Sequence, residues 1–215
     1  MRLFQMKYFL WISLLMMVGC SATKEYVNRS APPSLKKDLA VIPLKDTSEI
    51  LYEADFDFLD RHYSGLVIFK KSPSDPSIRI SVLSKLGFRL LDMKYSQGHM
   101  TILDCLEFLD RDAFKKSMKS TFSLLLDHRE TYRNVKYLEH QHDSSQYVLK
   151  ACRRWNRYYY FFDNQLVDTI KVRAPFSIYE RNHFFIGDYQ QGMPQNIHIR
   201  HQNIRLVMEF NLLNQ

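Results

Sequence analysis

The chain has 215 residues, with 30 Lys and Arg, 23 Asp and Glu, and a formal net charge of +7 at pH 7. This length suits one domain with or without a tether. Charges of opposite sign are mixed along the sequence, and no long basic run is present, so we predict no nucleic-acid partner. The 13 Tyr and 15 Phe, against only 6 Gly, favour strands over disorder.

The first twenty residues have the pattern of an export signal. Arg2 and Lys7 are followed by an apolar run over residues 8–18, and then by small residues. This run is about half the roughly 20 residues that a membrane-spanning helix needs. We therefore expect residues 1–19 to be a cleaved signal peptide rather than a transmembrane segment.

The end of this signal resembles the lipobox of bacterial lipoproteins. Val18 and Gly19 precede Cys20, with Met17 where that family usually has Leu. The resemblance implies that Cys20 is acylated and becomes the mature N-terminus. Two or three acyl chains, palmitate among them, would hold the protein at a membrane, whereas a single chain binds only marginally. The alternative is an ordinary cleaved signal in which Cys20 is incidental.

Two further cysteines, Cys105 and Cys152, would meet an oxidising compartment after export. A disulfide between them would contribute on the order of 4 kcal/mol, and two separate buried thiols are the alternative. His140 and His142 would share one face of a strand, but no third ligand with zinc spacing is apparent. We therefore expect a solvated loop over residues 128–145, with no metal and no other cofactor.

Residues 20–48 read as an acylated cysteine followed by a tether, because Pro32-Pro33 is stiff and the apolar residues show no sustained period. From residue 49 to residue 215, alternating apolar residues and turn signals predict a domain made of strands. The main predicted strands cover residues 50–58, 63–71, 77–83, 88–95, 99–106, 146–152, 155–162, 165–173 and 206–212, with shorter ones after Pro175, Gly187 and Pro194.

One helix is predicted over residues 110–127. Asp110 is a suitable N-cap, and Asp112 favours the positive helix start. Apolar residues follow at helical spacing, at Phe114, Met118, Phe122 and Leu125. A plain packing helix and a lid over the open end of a curved sheet both fit this pattern.

The predicted fold class is mainly β (α+β). About ten or eleven antiparallel strands must curl to bury their apolar face, which gives an incomplete barrel with a helical lid. Such a shape leaves an apolar hollow under the helix, where a lipophilic ligand would bind. The candidate lining residues are Ile78, Ile80, Val82, Phe114, Met118, Phe122, Leu206, Met208 and Phe210.

The order of these elements resembles the LolA/LolB family of lipoprotein-localisation proteins and related outer-membrane lipoproteins. The resemblance spans about residues 49–213. It rests on Ser-Gly-Leu-Val-Ile-Phe at 64–69, Ile-Arg-Ile-Ser at 78–81, Leu86-Gly87-Phe88 before Leu90-Leu91-Asp92, the helix, and Met-Pro-Gln-Asn-Ile at 193–197.

The resemblance implies a half-barrel whose helical lid covers bound acyl chains, an outer-membrane anchor on the periplasmic side, and a periplasmic carrier as a partner. In the receptor member of the family, a protruding loop with an exposed apolar residue delivers cargo to the membrane. The corresponding loop here, over residues 72–77, has no apolar tip, so the delivery step is absent or different.

The sequence leads us to compare three classes of function, of which two are predicted. The first is a lipid-binding module that takes part in lipid or lipoprotein transport, and the second is an assembly subunit that binds another envelope protein through an exposed sheet edge. An enzyme is not predicted, because no G-x-S-x-G elbow or phosphate-binding glycine loop is present. The aromatic and basic residues over 153–160 are interpreted as a strand whose basic flank faces lipid headgroups rather than as a base-stacking surface.

Overall fold

The computed structural model describes residues 26–29, 40–44, 49–72, 74–126, 133–142, 146–153, 156–174, 177 and 179–213. The predicted signal peptide 1–19 and the predicted acylation site Cys20 lie outside these residues. So do most of the predicted tether and His128.

Thirteen strands and one α-helix make up the described part of the chain. The strands are β1 (Tyr26–Arg29), β2 (Glu49–Phe58), β3 (Arg61–Ser72), β4 (Asp75–Ser84), β5 (Arg89–Ser96), β6 (His99–Cys105), β7 (Arg133–His140), β8 (Tyr147–Arg153), β9 (Asn156–Asp163), β10 (Leu166–Arg173), β11 (Glu180–Gln190), β12 (Met193–His201) and β13 (Leu206–Leu212). A short 3-10 helix (Glu107–Leu109) precedes α1 (Asp112–Leu126) between β6 and β7.

All thirteen strands form one antiparallel sheet in the order β1-β7-β8-β9-β10-β11-β12-β13-β2-β3-β4-β5-β6. Most neighbours are joined by short turns, as the sequence predicts. The exceptions are two pairings of strands that are distant in the sequence. β1 pairs with β7, and β13 pairs with β2, which sets Leu206 opposite Phe58 and Leu212 opposite Tyr52. Because β1 and β6 remain as edges, the sheet is curved but not closed, which confirms the predicted incomplete barrel with one helix.

The sequence misses two strands. β7 (Arg133–His140) lies where a solvated loop is predicted, and it pairs with β8. β1 (Tyr26–Arg29) lies within the predicted tether and pairs with β7. Apolar and polar residues alternate only weakly in both strands. Their pairing with each other extends the edge of the sheet.

A second part of the predicted tether also packs against the domain. Val41 and Ile42 are almost fully buried. Their backbone N–H groups donate to the carbonyl oxygen of Leu125 at 2.9 and 3.0 Å. This contact satisfies a carbonyl that the last turn of a helix leaves without a partner. Two parts of the predicted tether, β1 and residues 41–42, therefore belong to the folded domain.

The helix begins later than predicted. Asp110 ends the preceding 3-10 helix rather than capping α1, and the first bond of α1 runs from the Lys115 N–H to the Arg111 carbonyl. The Lys115 ammonium pairs with the carboxylates of Asp110 and Asp112. These ion pairs stabilise the first turn, where Asp112 also meets the positive end of the helix dipole.

The alternation within each strand produces one continuous apolar core. In β13, Leu206, Met208 and Phe210 are at most 1% exposed, which confirms the buried face predicted for this strand. The helix contributes eight buried residues to the same side of the sheet. Each fully buried Leu, Phe or Met stabilises the fold by about 2 kcal/mol relative to exposure.

One buried carboxylate lies on the opposite face. Asp92 is 1% exposed, and it accepts two hydrogen bonds from the Arg79 guanidinium at 3.0 and 2.5 Å. These bonds hold the pKa of Asp92 below its ordinary value against the opposing effect of burial. The pair fixes the register of β4 against β5 on the face without an apolar core.

Gly65 allows β3 and β4 to approach each other closely, and replacing it tests this packing. A Cβ at this position would lie 1.8 Å from the Leu83 carbonyl oxygen, which is backbone and has little freedom to move. We expect Gly65→Ala to lower the free energy of unfolding by about 3 kcal/mol. Chemical denaturation of the purified protein measures the change.

Gly187 provides the matched control, since a Cβ there would meet nothing within 4 Å. We expect Gly187→Ala to stay within about 0.5 kcal/mol of the unchanged protein. Equal stabilities for the two variants would contradict the strand packing described here.

Candidate functional site

The candidate site lies between α1 and the core face of the sheet. Residues of α1 spaced about one turn apart point at the sheet and meet aromatic rings. Phe114 is 5.0 Å from Phe58 between ring centroids, and Phe122 stacks on Phe210 at 6.0 Å. Phe122 also contacts Phe69 at 5.8 Å. The helix therefore covers the core face through aromatic contacts.

A small apolar cavity remains near the start of α1. Its volume is about 10 Å³, which is comparable to the space that a single water molecule needs. The cavity is lined by Phe56, Phe58, Tyr63, Val82, Leu90, Leu91, Leu109, Phe114 and Met118. The apolar hollow that the sequence predicts is thus almost filled by the side chains of α1 in this conformation.

All nine candidate lining residues predicted from the sequence lie in the same buried core. Val82, Phe114 and Met118 also line the cavity. The other six fill the core elsewhere: Ile78, Ile80, Phe122, Leu206, Met208 and Phe210. Their contact with a lipid stays a prediction.

Sequence reasoning missed six of the cavity residues. Phe56 and Phe58 are alternating aromatics in a predicted strand, and this alternation could have identified them as cavity residues. Tyr63, Leu90, Leu91 and Leu109 become neighbours of the helix start only through the pairing of strands that are distant in the sequence.

The cavity end of the sheet carries a group of exposed apolar side chains, which we call the apolar rim. Leu86 is 84% exposed and Phe88 is 65% exposed, both in the β4–β5 turn. The other members are Leu59 in the β2–β3 turn, Leu106 just before the 3-10 helix, and Phe108 within it. Phe108 stacks on the cavity residue Tyr63 at 5.5 Å, which connects the rim to the cavity.

The loop over residues 72–77 has no apolar tip, and the rim presents exposed apolar residues in other turns of the sheet. Pro73 lies outside the described residues, and the described neighbours in that loop are polar or proline. Exposed apolar residues are instead presented by the next turn of the sheet, between β4 and β5. Such a patch on a protein surface is typical of contact with a membrane or another protein.

A buried hydrogen bond fastens the middle of α1 to the sheet. Thr121 Oγ1 is 2.8 Å from Nε2 of His201, and both residues are at most 2% exposed. Together with the bonds from residues 41 and 42 to Leu125, this contact holds the second half of the helix in place. The first half, beside the cavity, is held by apolar contacts.

Burial lowers the pKa of His201 to about 4 from its ordinary value of 6.5. The imidazole is therefore neutral at pH 7 in the folded protein. The unfolded chain binds a proton more readily, so His201 stabilises the fold fully above pH 6.5. That stabilisation is lost as the pH falls from 6.5 towards 4.

We predict that the free energy of unfolding falls by about 3 kcal/mol through His201 between pH 7 and pH 4. His201→Gln can retain a hydrogen bond to Thr121 but does not titrate, so its stability should depend less steeply on pH. Chemical denaturation of both proteins at several pH values measures the difference. Identical slopes would contradict the assignment of the titration to His201.

Asp57, His62 and Ser64 have the connectivity of a hydrolase triad. His62 Nδ1 is 2.8 Å from the Asp57 carboxylate, and His62 Nε2 is 2.9 Å from Ser64 Oγ. However, the Asp55 carboxylate is 3.4 Å from the same Nε2 and competes with the hydroxyl for it. The group is on the exposed outer face of β2 and β3, and none of its members lines the apolar cavity. A surface ion-pair cluster explains this arrangement without catalysis.

The described cysteines, and the described pair His140 and His142, do not form a second site. Cys105 and Cys152 are both free thiols and only partly buried, so the structure has the separate-thiol alternative rather than a disulfide. His140 and His142 lie 6.1 Å apart between ring centroids. Within the described ranges, no group of three His, Cys, Asp or Glu side chains could hold a metal ion.

No described helix is long and apolar enough to cross a membrane.

Solved structures with the same architecture were found. A LolA superfamily protein from Nitrosomonas europaea superposes with a TM-score of 0.51 and 8% identity, covering 86% of this chain and 93% of that chain. A domain assigned to outer-membrane lipoprotein sorting, from Vibrio parahaemolyticus, superposes with a TM-score of 0.50 and 7% identity, covering 78% of this chain and 84% of that chain.

No family model matches the sequence, and no curated protein matches it either. At identities this low, the likeness is one of fold. The chain has the fold of LolA-type proteins, which confirms the resemblance seen in the sequence.

Proposed function

We propose that this protein is a membrane-anchored, non-enzymatic lipoprotein that binds acyl chains of lipids or lipoproteins beneath α1. The observation that carries this proposal is the apolar cavity under the start of a helix, whose lining residue Tyr63 stacks on Phe108 of the apolar rim. Its role would be lipid or lipoprotein transport, or insertion into the outer membrane.

The chemistry of the cavity favours a hydrocarbon ligand. Apart from the Tyr63 hydroxyl, every residue that lines it is an aliphatic or aromatic hydrocarbon or Met. An acyl chain entering there would exchange contacts with α1 side chains for contacts of its own. Because apolar surface is buried in both states, this exchange has a small free-energy cost.

The filled cavity requires α1 to move before a chain can enter. The helix start is held by apolar contacts such as Phe114 against Phe58, whereas the helix end is fastened by Thr121 and Leu125. We propose that the start of α1 lifts, that the Thr121–His201 bond breaks as it does so, and that the helix end at Leu125 acts as the hinge. This would open the core face at the rim.

The anchor completes the proposal. Removal of residues 1–19 and acylation of Cys20 would tether the folded domain to the outer membrane on its periplasmic side, through the segment 20–48, of which β1 and residues 41–42 pack on the domain. A periplasmic carrier of similar fold would be the natural partner, since two apolar openings can exchange a chain without exposing it to water.

Lipid analysis tests this function directly. The chain purified from its natural envelope or after export in a bacterial host is extracted with organic solvent, which removes bound lipids but not a covalent anchor. We expect acyl lipids in the extract and saturable uptake of a fluorescent fatty acid. Repeated absence of both would refute the acyl-chain function.

We predict that Thr121→Ala increases the rate of fluorescent fatty acid uptake by about fivefold. The substitution removes one buried hydrogen bond worth about 1 kcal/mol to the closed helix. Ser117→Ala is the matched control, because Ser117 is buried on the same helix but has no such bond to the sheet among the described contacts. Equal rates for the two variants would show that the Thr121–His201 contact does not restrain the helix.

We also predict that Leu86→Asp slows transfer of a fluorescent fatty acid from vesicles by at least tenfold while leaving stability unchanged. A charge at the rim must be desolvated when the rim meets a bilayer. Tyr179→Asp is the control, since Tyr179 is 74% exposed and lies outside the rim. Transfer rates measured by fluorescence dequenching should be normal for the control, and an unaffected Leu86→Asp variant would remove the rim from the mechanism.

An envelope assembly subunit is the second candidate function. It is favoured by the edge of β6 beside α1, which no other described strand pairs with, and where an open groove of about 730 Å³ is lined by Leu103, Asp104, Lys115, Lys116 and Lys119, among others. An extended segment of another protein could add a strand at such an edge. Affinity purification from solubilised membranes would identify a stoichiometric partner in that case and no bound lipid.

A further inference from the structure

The outer face of the sheet, which is turned away from α1, carries a row of three cations, Lys150, Lys171 and Arg200, with Tyr159 and His183 on the strands between them. Register places Lys150 beside Tyr159, Tyr159 beside Lys171, Lys171 beside His183, and His183 beside Arg200. The residues that alternate with them, Leu149, Tyr160, Ile170, Phe184 and Ile199, are in the core. The row must therefore point outward.

A second row reinforces the first. Arg157 on β9 is paired with Arg173 on β10, and each lies two residues along its strand from the first row. Phe161 and Phe185 lie on the other side of the row, and Phe185 is 47% exposed. We call this surface the basic–aromatic face, and its members are Lys150, Arg157, Tyr159, Phe161, Lys171, Arg173, His183, Phe185 and Arg200.

Aromatic rings hold several of these cations in place. The Lys150 and Lys171 ammonium groups lie 5.6 and 5.4 Å from the ring centroids of Tyr159 and Phe161. The Arg173 guanidinium lies 5.3 Å from that of Tyr159. Cation–π contacts of this kind position the charges without neutralising them.

The positive charge of the face exceeds what its carboxylate can neutralise. Lys171 and Arg173 both pair with Glu180 at 3.3 Å, and the His183 imidazole lies 3.4 Å from the same carboxylate. Lys150, Arg157 and Arg200 add three further positive charges to the face. Arg173 Nε and His183 Nε2 are buried without a hydrogen-bond partner in the described structure. Burial lowers the pKa of His183, and Lys171, Arg200 and His198 lower it further against the effect of Glu180.

We propose that the basic–aromatic face docks onto an anionic membrane surface. With strands about 4.8 Å apart, the row from β8 to β12 spans roughly 20 Å. Phosphate headgroups repeat over such a distance, whereas a single small anion would need converging donors. Exposed Phe185 suits the interfacial layer in which aromatic side chains accumulate. Docking here leaves α1 facing away from the bilayer, and it does not depend on acyl-chain binding under the helix.

Vesicle flotation tests the proposal with the full chain carrying Cys20→Ser, so that an acyl anchor does not contribute. Vesicles of phosphatidylcholine alone are compared with vesicles that also contain phosphatidylglycerol. We expect binding to require phosphatidylglycerol and to fall as salt is raised, because screening weakens surface attraction. Equal binding to the two vesicle types would overturn the proposal.

Two double variants locate the binding surface. Lys150→Gln with Arg200→Gln should weaken binding to phosphatidylglycerol vesicles by about 25-fold, at about fivefold for each cation. Lys116→Gln with Lys119→Gln removes the same charge from α1 and should bind like the parent protein. Thermal unfolding confirms that both are folded. Equal losses in the two variants would show a net-charge effect and refute a specific docking face.

Fatty acid uptake by the same variants separates this inference from the proposed function. We expect the Lys150→Gln/Arg200→Gln protein to take up soluble fluorescent fatty acid normally. A protein that docks on anionic vesicles but takes up no acyl chain would leave the docking face intact and refute only the acyl-chain function.

Discussion

The fold depends on covering the apolar face of a sheet that does not close. An open curved sheet with rings such as Phe69 and Phe210 on one side would expose a large apolar surface to water. Helix α1 provides most of the cover, with Phe122 stacked on Phe210 and eight buried residues in all. The helix therefore belongs to the core in energetic terms, and it is also the element that must move if the core is to accept a ligand.

These two requirements explain the uneven attachment of the helix. Its second half is joined to the domain by directional contacts, between Thr121 and His201 and from residues 41 and 42 to Leu125. Its first half lies over the small cavity and relies on apolar contacts that an acyl chain could replace. Apolar contacts can be exchanged for contacts with an acyl chain without leaving a polar group unpaired, so one half can be displaced while the other keeps the helix attached.

The two faces of the sheet differ in chemistry because strand side chains alternate. The inner face is apolar and is covered by α1, whereas the outer face holds its charges in small clusters. Asp92 with Arg79 lies at one side of the sheet, and Glu180 with Lys171 and Arg173 lies at the other. The excess of cations around Glu180 gives the outer face a membrane-docking property that is separate from the proposed ligand site.

The sequence by itself determined the fold class, the position of α1 to within a turn, and the buried face of strands such as β13. Alternation and helical spacing are local properties, so residues close in the chain report them. It failed for β7 (Arg133–His140) and β1 (Tyr26–Arg29), whose weak alternation is compensated by pairing with each other and with β8.

Only the tertiary structure decided which apolar residues meet. Val82, Phe114 and Met118 were foreseen as cavity residues, but Tyr63 and Leu90 join them through strand pairing that local patterns do not encode. The same holds for the filling of the hollow and for the row from Lys150 to Arg200. The physical reason is that packing density and cross-strand neighbours depend on register between segments distant in the chain, whereas the sequence pattern records only which face each residue occupies.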